Sequence, residues 1–378
     1  MDIAKIFKDN IAKYLQKFGR KIPANHLKVI NAIINCRTPA LGGDVYYCEN
    51  CGKYDYSYHS CRNRHCPKCQ SNKSQEWLQK QMEKLLPVNY FFVTFTIPAE
   101  LRFLCRSNQK LFYSIIIKAA AEALQTLLKD PKWAGGKSGF VGVLHTWTRQ
   151  LLYHPHIHFI VPGGAFDVER NQWNKAGHKF LVPVLALSNI FRAKFRDLLE
   201  KENPQIFEQI PKSIWIEKEF ITHSKPVGKG DKALEYLSKY IYRIAISNNR
   251  IVKYENGNVT FKYKPSGTNQ YKYQTVTAME FMRRFLQHVL PDGFHKIRYY
   301  GFLSSGGKKI FEKIQEYFEI KKDKNILPEK SEFIKRKREI CPKCKSKMIL
   351  FASILRKPRA PPSFLLTKIP ARHQQQTV

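Results

Sequence analysis

The chain has 378 residues, 43% hydrophobic and 13% aromatic, which is enough to bury a real core and excludes wholesale disorder. Lys and Arg number 65 against 30 Asp and Glu, a formal charge of +35 with a pI near 9.8. A field of that sign draws polyanions and argues against a small-molecule hydrolase. With no clean basic amphipathic helix and no apolar run of membrane-span length, nucleic acid is favoured over an acidic membrane.

Met1-Asp2-Ile3-Ala4-Lys5 leads directly into an amphipathic helix, without a secretory signal, so a cytoplasmic protein is expected. Its nine cysteines therefore read as metal ligands rather than a disulfide framework. Ile3, Ile6, Phe7, Ile11, Tyr14, Leu15 and Phe18 recur at helical spacing, and a second helix is predicted over 25–35. Leu41-Gly42-Gly43-Asp44 breaks the pattern, a cysteine-dense stretch fills 48–69, and a helix over 72–85 closes this unit. Strands are predicted at 90–97, 139–147, 155–161 and 213–221, with helices at 108–129, 185–201, 230–245 and 277–289. Ile115, Ile116, Ala119, Ala123, Leu124 and Leu127 form the buried stripe expected of the long helix. Segments 250–254 and 258–263 flank Glu255-Asn256-Gly257, a hairpin signal. From 321 the chain is lysine-rich, and 355–378 has the composition of a disordered tail. Strands mixed with helices in no strict alternation predict an α+β fold with a largely antiparallel sheet. Three units are expected: 1–86 helical and zinc-binding, 87–320 catalytic, and 321–378 a basic C-terminal region.

Cys48-x-x-Cys51 and Cys66-x-x-Cys69 lie 14 residues apart, a spacing that can give four thiolates to one structural zinc. Cys36, His59, Cys61 and His65 offer a second site or a replacement ligand, and Cys341-Pro-Lys-Cys344 is half of another. Arg62, Arg64, Lys68 and Lys73 surround the knuckles and suit phosphate contact, although a purely structural zinc would also explain the cysteines.

Residues 153–164, Tyr-His-Pro-His-Ile-His-Phe-Ile-Val-Pro-Gly-Gly, carry the strongest chemical signal. In a strand His154, His156 and His158 leave one face while Ile157, Phe159 and Val161 leave the other, which suits a metal site built on a core strand. His145, Gln150 and His154 are candidates for a third ligand. Tyr236 and Tyr240 are one helical turn apart, flanked by Lys239 and Arg243. They read either as packed core tyrosines or as nucleophiles toward a phosphodiester polarised by a divalent metal on the histidines.

Several segments in one order carry a resemblance. They are Cys36-Arg-Thr-Pro-Ala-Leu-Gly-Gly, Ser60-Cys-Arg-Asn-Arg-His-Cys-Pro-Lys-Cys-Gln, Leu144-His-Thr-Trp and His154-Pro-His-Ile-His. Tyr236-Leu-Ser-Lys-Tyr, Ala245-Ile-Ser-Asn and His288-Val-Leu-Pro-Asp-Gly-Phe-His-Lys-Ile-Arg follow. Together they resemble the HUH tyrosine transposases of rolling-circle insertion sequences, in the branch with an N-terminal transposase zinc-binding domain. The resemblance implies His156 and His158 as ligands of Mg2+ or Mn2+ and Tyr236 and Tyr240 as the nucleophile pair. It implies single-stranded DNA as substrate, nicking at element ends, and strand transfer through a 5′-phosphotyrosine. The implied fold is a central antiparallel sheet with the histidine motif on an inner strand. Tyr242 stands where histidine is commoner in relatives. The alternatives are a zinc-dependent DNA-binding protein without cleavage and a metallohydrolase that does not use the tyrosines.

The charge makes one outcome measurable. Affinity for single-stranded DNA should fall roughly a hundredfold or more between about 50 and 200 mM salt, read by fluorescence anisotropy, because bound cations displace condensed counterions. A salt-independent affinity would contradict the electrostatic reading.

Overall fold

The computed structural model describes residues 1–69, 77, 81–82, 84–177, 180–229, 244–265, 267–320 and 340–356. Tyr236, Lys239, Tyr240, Tyr242, Arg243 and their expected helix lie outside these residues, as do Lys73, most of 72–85 and the tail from 357.

Asp2 starts the first helix, α1 (Ile3–Phe18), by accepting the Ala4 amide at 3.1 Å, the usual service of an N-cap carboxylate. The same carboxylate pairs with Lys68 at 2.5 Å, tying the helix start to the cysteine-rich loop. Helix α2 (Ala24–Ile34) follows, then strands β1 (Gly43–Tyr47) and β2 (Tyr54–Tyr58) on either side of the first cysteine pair. These two strands were not legible in the sequence, because Gly, Tyr and Asp alternate there without an apolar pattern.

Strand β3 (Asn89–Thr96) leads to α3 (Gln109–Lys129), β4 (Gly139–Trp147), β5 (Tyr153–Pro162) and the small hairpin β6 (Gly164–Asp167) and β7 (Gln172–Lys175). Helix α4 (Val184–Glu202) then precedes β8 (Ile221–Lys229). The strand expected at 213–221 is a correction: residues Lys212–Ile216 are a short helix and the strand begins at Ile221. Pro211 sets φ at −55° ahead of that helix, which buries Ile214 in the main core and packs Trp215 against it while Ile216 is 76% exposed, so the apolar residues pack from a helix rather than from a strand. The expected hairpin forms as β9 (Ile251–Glu255) and β10 (Asn258–Tyr263), extended by β11 (Lys272–Thr277). Thr277 caps α5 (Ala278–Leu286), β12 (Ile297–Gly301) and α6 (Lys308–Tyr317) follow, and β13 (Ile349–Ile354) ends the described chain.

The α+β class and antiparallel sheet expected from the sequence are what the chain adopts. Five antiparallel strands run in the order β12-β4-β5-β3-β8, with β5 in the middle. One face, bearing Phe91, Val93, Phe95, Ile157, Phe159 and Val161, is covered by α3 and α4 in the largest core cluster. The predicted stripe of α3, from Ile115 to Leu127, is buried there throughout. This helix has the length and apolar composition of a membrane span, contrary to expectation, but it packs inside the protein. On the opposite face Val141, Val143 and Ile160 pack with Phe302 and Ile314, leaving the imidazole end of the same face.

Helices α1 and α2 do not stand apart from the sheet-bearing region. Phe7 meets Phe285 of α5 edge-on at 5.2 Å, and one cluster joins both helices to Val259, Phe261 and Phe281. Residues 340–356 return to the same end of the molecule, where β13 adds to β1 antiparallel, Gly43 opposite Ile354.

A tight approach in the central sheet gives a stability test. A Cβ on Gly142 of β4 would lie 2.4 Å from the Phe159 ring, itself wedged against Phe95 and Phe140. Gly142→Ala should therefore destabilise the fold by about 1–3 kcal/mol, seen as a lowered midpoint in thermal or denaturant unfolding.

Candidate functional site

Neighbouring strands in register bring three histidines to one place. On β5 His156 and His158 share a face, and β4 sets His145 directly opposite His156. One ring nitrogen from each of His145, His156 and His158 lies within 4.8 Å of the others, and the rings stand nearly perpendicular at 4.6 to 5.7 Å. The His156 Nδ1 is 2.7 Å from the His154 carbonyl, so Nδ1 carries the proton and Nε2 keeps its lone pair. The His158 Nδ1 meets Thr94 Oγ1 of β3 at 2.9 Å, and the Phe92 ring stacks on His158 at 4.7 Å. Such partners fix ring orientation, as outer-shell groups do around metal-binding imidazoles.

A bulge in β4 between His145 and Trp147 completes the setting. It stacks the Trp147 ring on His145 at 4.7 Å and turns Thr146 inward, where Oγ1 lies 3.3 Å from Nδ1 of His288. His288, buried at the end of α5, donates from Nε2 to the Leu151 carbonyl at 3.2 Å. Thr94 and His288 were not singled out from the sequence as site residues. A Thr on an apolar strand carries no signal, and His288 appeared only inside a longer motif. Of the other third-ligand candidates, Gln150 bonds the Tyr263 hydroxyl at 2.9 Å, and the His154 ring sits beside His156 but outside the converging set.

The cysteines group differently from their spacing. Cys66 and Cys69 join Cys36 and Cys61, whereas Cys48 and Cys51 join Cys341 and Cys344. The expected set of Cys48, Cys51, Cys66 and Cys69 around one ion is thus replaced by two sets of four. The strand pair β1 and β2 extends between the two knuckles and holds them apart, while the turn after Ile34 and the return of 340–356 supply the missing partners. Sulfur separations are 3.5 and 3.7 Å in the first set and 3.4 and 3.6 Å in the second. A zinc tetrahedron with bonds of about 2.3 Å needs sulfurs about 3.8 Å apart, so both sets fit that ion. Sharing of hydrogen bonds with Cys36 and Cys61 pushes the Cys66 thiol far up, and Cys36 pushes Cys61 up to about 12. Packed this closely, four thiols ionise together only around a cation.

The remaining expected residues are placed individually. His65 is no ligand of either set; it accepts the Leu290 amide at 3.4 Å, and burial holds it well below the ordinary imidazole range. His59 stands 3.8 Å from Asp44. Arg62 is exposed. Arg64 is half-buried and donates to the carbonyls of Leu290, Pro291 and Phe294, so its guanidinium is engaged by the fold.

Residues 139–309 match the family described as "Putative transposase", and residues 6–97 match the "Transposase zinc-binding domain". The chain is 40% identical over 320 residues to "Putative transposase y4qJ" of Sinorhizobium fredii, covering 78% of this chain and 80% of that one. It is 28% identical over 298 residues to "Transposase for insertion sequence element IS801" of Pseudomonas savastanoi pv. phaseolicola, covering 74% and 70%. The chain belongs to the rolling-circle insertion-sequence transposases. No solved structure matches it.

Membership implies an enzyme that cleaves and transfers DNA strands, with DNA as its substrate. The zinc-binding domain and the cysteine sets together support structural zinc in the transposase. The histidine cluster is a different kind of site: its donors are ring nitrogens, contacted by Thr94 and a backbone carbonyl, on the two adjacent inner strands β4 and β5 of the sheet.

Its neighbour His288 gives the transposase a measurable pH response. Burial holds this imidazole at about 3 instead of 6.5, so it stays neutral in the fold but is protonated when unfolded below 6.5. The unfolded chain then binds the extra proton, and stability falls as pH drops from 6.5 toward 3. At about pH 5 the loss from this one group is about 2 kcal/mol. His26 and His154, both lowered to about 4 mainly by burial, add in the same direction. His288→Gln should flatten the pH 5–7 dependence of the unfolding midpoint, and an unchanged slope would dismiss this histidine as the cause.

Proposed function

We propose that the transposase nicks single-stranded DNA at the ends of its element and transfers the strand through a 5′-phosphotyrosine. Tyr236 and Tyr240 are the nucleophiles, and His145, His156 and His158 hold a divalent cation. The supporting observation is the convergence of three imidazoles, each on or beside the central strand, with the His156 tautomer set by the His154 carbonyl and the His158 ring held by Thr94. Manganese or magnesium bound there would place positive charge at the scissile phosphate. An all-nitrogen donor set without a carboxylate favours manganese of the two.

In the cleavage step the tyrosine oxygen bonds to phosphorus as the bond from phosphorus to the 3′ oxygen breaks. The tyrosine proton passes to that departing oxygen, leaving a 3′ hydroxyl and the 5′ end on the protein. Because the phosphate ester is preserved, a free 3′ hydroxyl can reverse the step and join a new strand. His223 and Lys225 of the edge strand β8 lie on the imidazole face, opposite Thr94 and Phe92 across the β3 register, and suit contact with the strand's backbone. Trp147, stacked on His145, shields that ring from water. The reading places the enzyme in the cytoplasm, with DNA.

His145→Ala, His156→Ala and His158→Ala should each lower formation of a denaturation-resistant adduct on labelled single-stranded element ends by about 100-fold or more. DNA affinity should stay within about twofold. Tyr236→Phe is expected to remove most cleavage, Tyr240→Phe to remove transposition, and the double variant to remove both. An adduct persisting in the double variant would assign the nucleophile elsewhere, with Tyr242 the first suspect. Tight DNA binding with no adduct under any divalent cation would instead favour a zinc-dependent DNA-binding protein without cleavage.

A further inference from the structure

The turns at Cys48–Cys51 and Cys341–Cys344 are one backbone device built twice, 290 residues apart. In the first, the Gly52 amide donates to the Cys48 carbonyl at 2.8 Å and the Cys48 amide donates to the Lys53 carbonyl at 2.9 Å. In the second, the Lys345 amide donates to the Cys341 carbonyl at 3.0 Å and the Cys341 amide to the Ser346 carbonyl at 2.8 Å. The fifth residue is left-handed in both, Gly52 at φ 69° and Lys345 at φ 63°. A lysine seldom adopts that conformation, and its doing so in the position that glycine fills in the twin marks a backbone constrained by what the turn surrounds. The Cys66–Cys69 turn is bonded otherwise: the Cys66 amide goes to Asn63 and the Cys69 amide to Cys66. It is therefore not the counterpart of the Cys48 knuckle.

We propose that Cys48, Cys51, Cys341 and Cys344 bind one zinc ion, separate from a zinc on Cys36, Cys61, Cys66 and Cys69, and that this ion fastens residues 340–356 onto the N-terminal unit. Two of its four ligands lie far beyond residues 6–97, the extent of the matched zinc-binding domain. The Sγ atoms of Cys48 and Cys344, and of Cys51 and Cys341, are 3.4 and 3.6 Å apart, suited to a shared tetrahedral ion and too far for a disulfide. Cys48 and Cys341 are fully buried, and among the described residues Met348 and the partly buried Tyr46 are the apolar side chains, other than cysteines, in that cluster. So small a cluster has little core of its own, which is the situation in which a metal supplies the folding energy. The two knuckles are also joined directly by Asn50 Nδ2 donating to Ser346 Oγ at 3.0 Å, and the strands leading from them, β1 and β13, pair antiparallel. Binding of the ion would release the four thiol protons to solvent and leave a four-thiolate zinc centre of net charge −2.

Metal counting tests the assignment on the full-length protein. The zinc-loaded chain should carry about two zinc ions by mass spectrometry of intact protein and by elemental analysis. Cys341→Ser with Cys344→Ser should carry one, and protease should then cut within 340–356 while residues 1–69 stay protected. Zinc content equal to the wild type in that double variant would overturn the proposal. A second arm needs no variant. During graded chelation of the wild type, thiol alkylation mapped by peptide should label Cys48, Cys51, Cys341 and Cys344 together. Cys341 and Cys344 reacting freely before any zinc is removed, or Cys48 and Cys51 opening in step with Cys66 and Cys69 instead, would overturn it equally.

Discussion

Everything at the histidine site depends on the two-sidedness of one strand. β5 is central, so its apolar side chains have helices α3 and α4 to bury against, and the alternation that sends Ile157, Phe159 and Val161 into that core sends His156 and His158 to the other face. A slip of one residue would reverse both sets, placing imidazoles among phenylalanines. The penalty for that reversal fixes the register, and the register fixes which residues of β4 and β3 meet the histidines. Hydrophobic burial on one side of the sheet thus sets chemical geometry on the other.

The cysteine-rich end follows the opposite logic. Its strands are short and largely exposed, with Tyr54 and Tyr56 of β2 and Leu350 and Phe351 of β13 about half exposed, and little apolar surface is removed from water there. Order comes instead from thiol clusters, from Asp2 holding Lys68 and the start of α1, and from the packing of α1 and α2 on α5. One molecule therefore uses two ways of making a rigid frame, a core where the sheet is wide and ligand clusters where it is narrow.

The legible parts of the sequence were those in which one local pattern determines the outcome. Strand-forming composition marked β3, period-two parity placed the two faces of β5, helical periodicity gave α3, and Asn256-Gly257 gave the hairpin of β9 and β10. Parity alone placed His156 and His158 on one face, and His145 stood among three candidates until the register across β4 and β5 separated it from Gln150 and His154. Partnerships set by the folded chain were not legible. Counting residues between Cys51 and Cys66 says nothing of a matching knuckle near the C-terminus, and Cys36 sits in no pair at all. Edge strands such as β8 and β13 bury few side chains, so no alternation of buried and exposed positions marks them. Arg64 looked like a phosphate contact because its neighbours are basic, yet three backbone carbonyls of the loop after α5 take its guanidinium.

The pairing of β1 with β13 has a consequence in time. A ribosome adds about 5–20 residues each second, so the strand that covers β1 is made about 15–60 seconds after Cys51 has emerged, given the 290 residues between Cys51 and Cys341. Through that interval β1 is hydrogen-bonded on one side only, beside two thiols still lacking their partners, and an open strand edge invites pairing with another chain. Synthesis of residues 340–356 closes that edge, so the emergence of β13 also ends this period of exposure to misassembly.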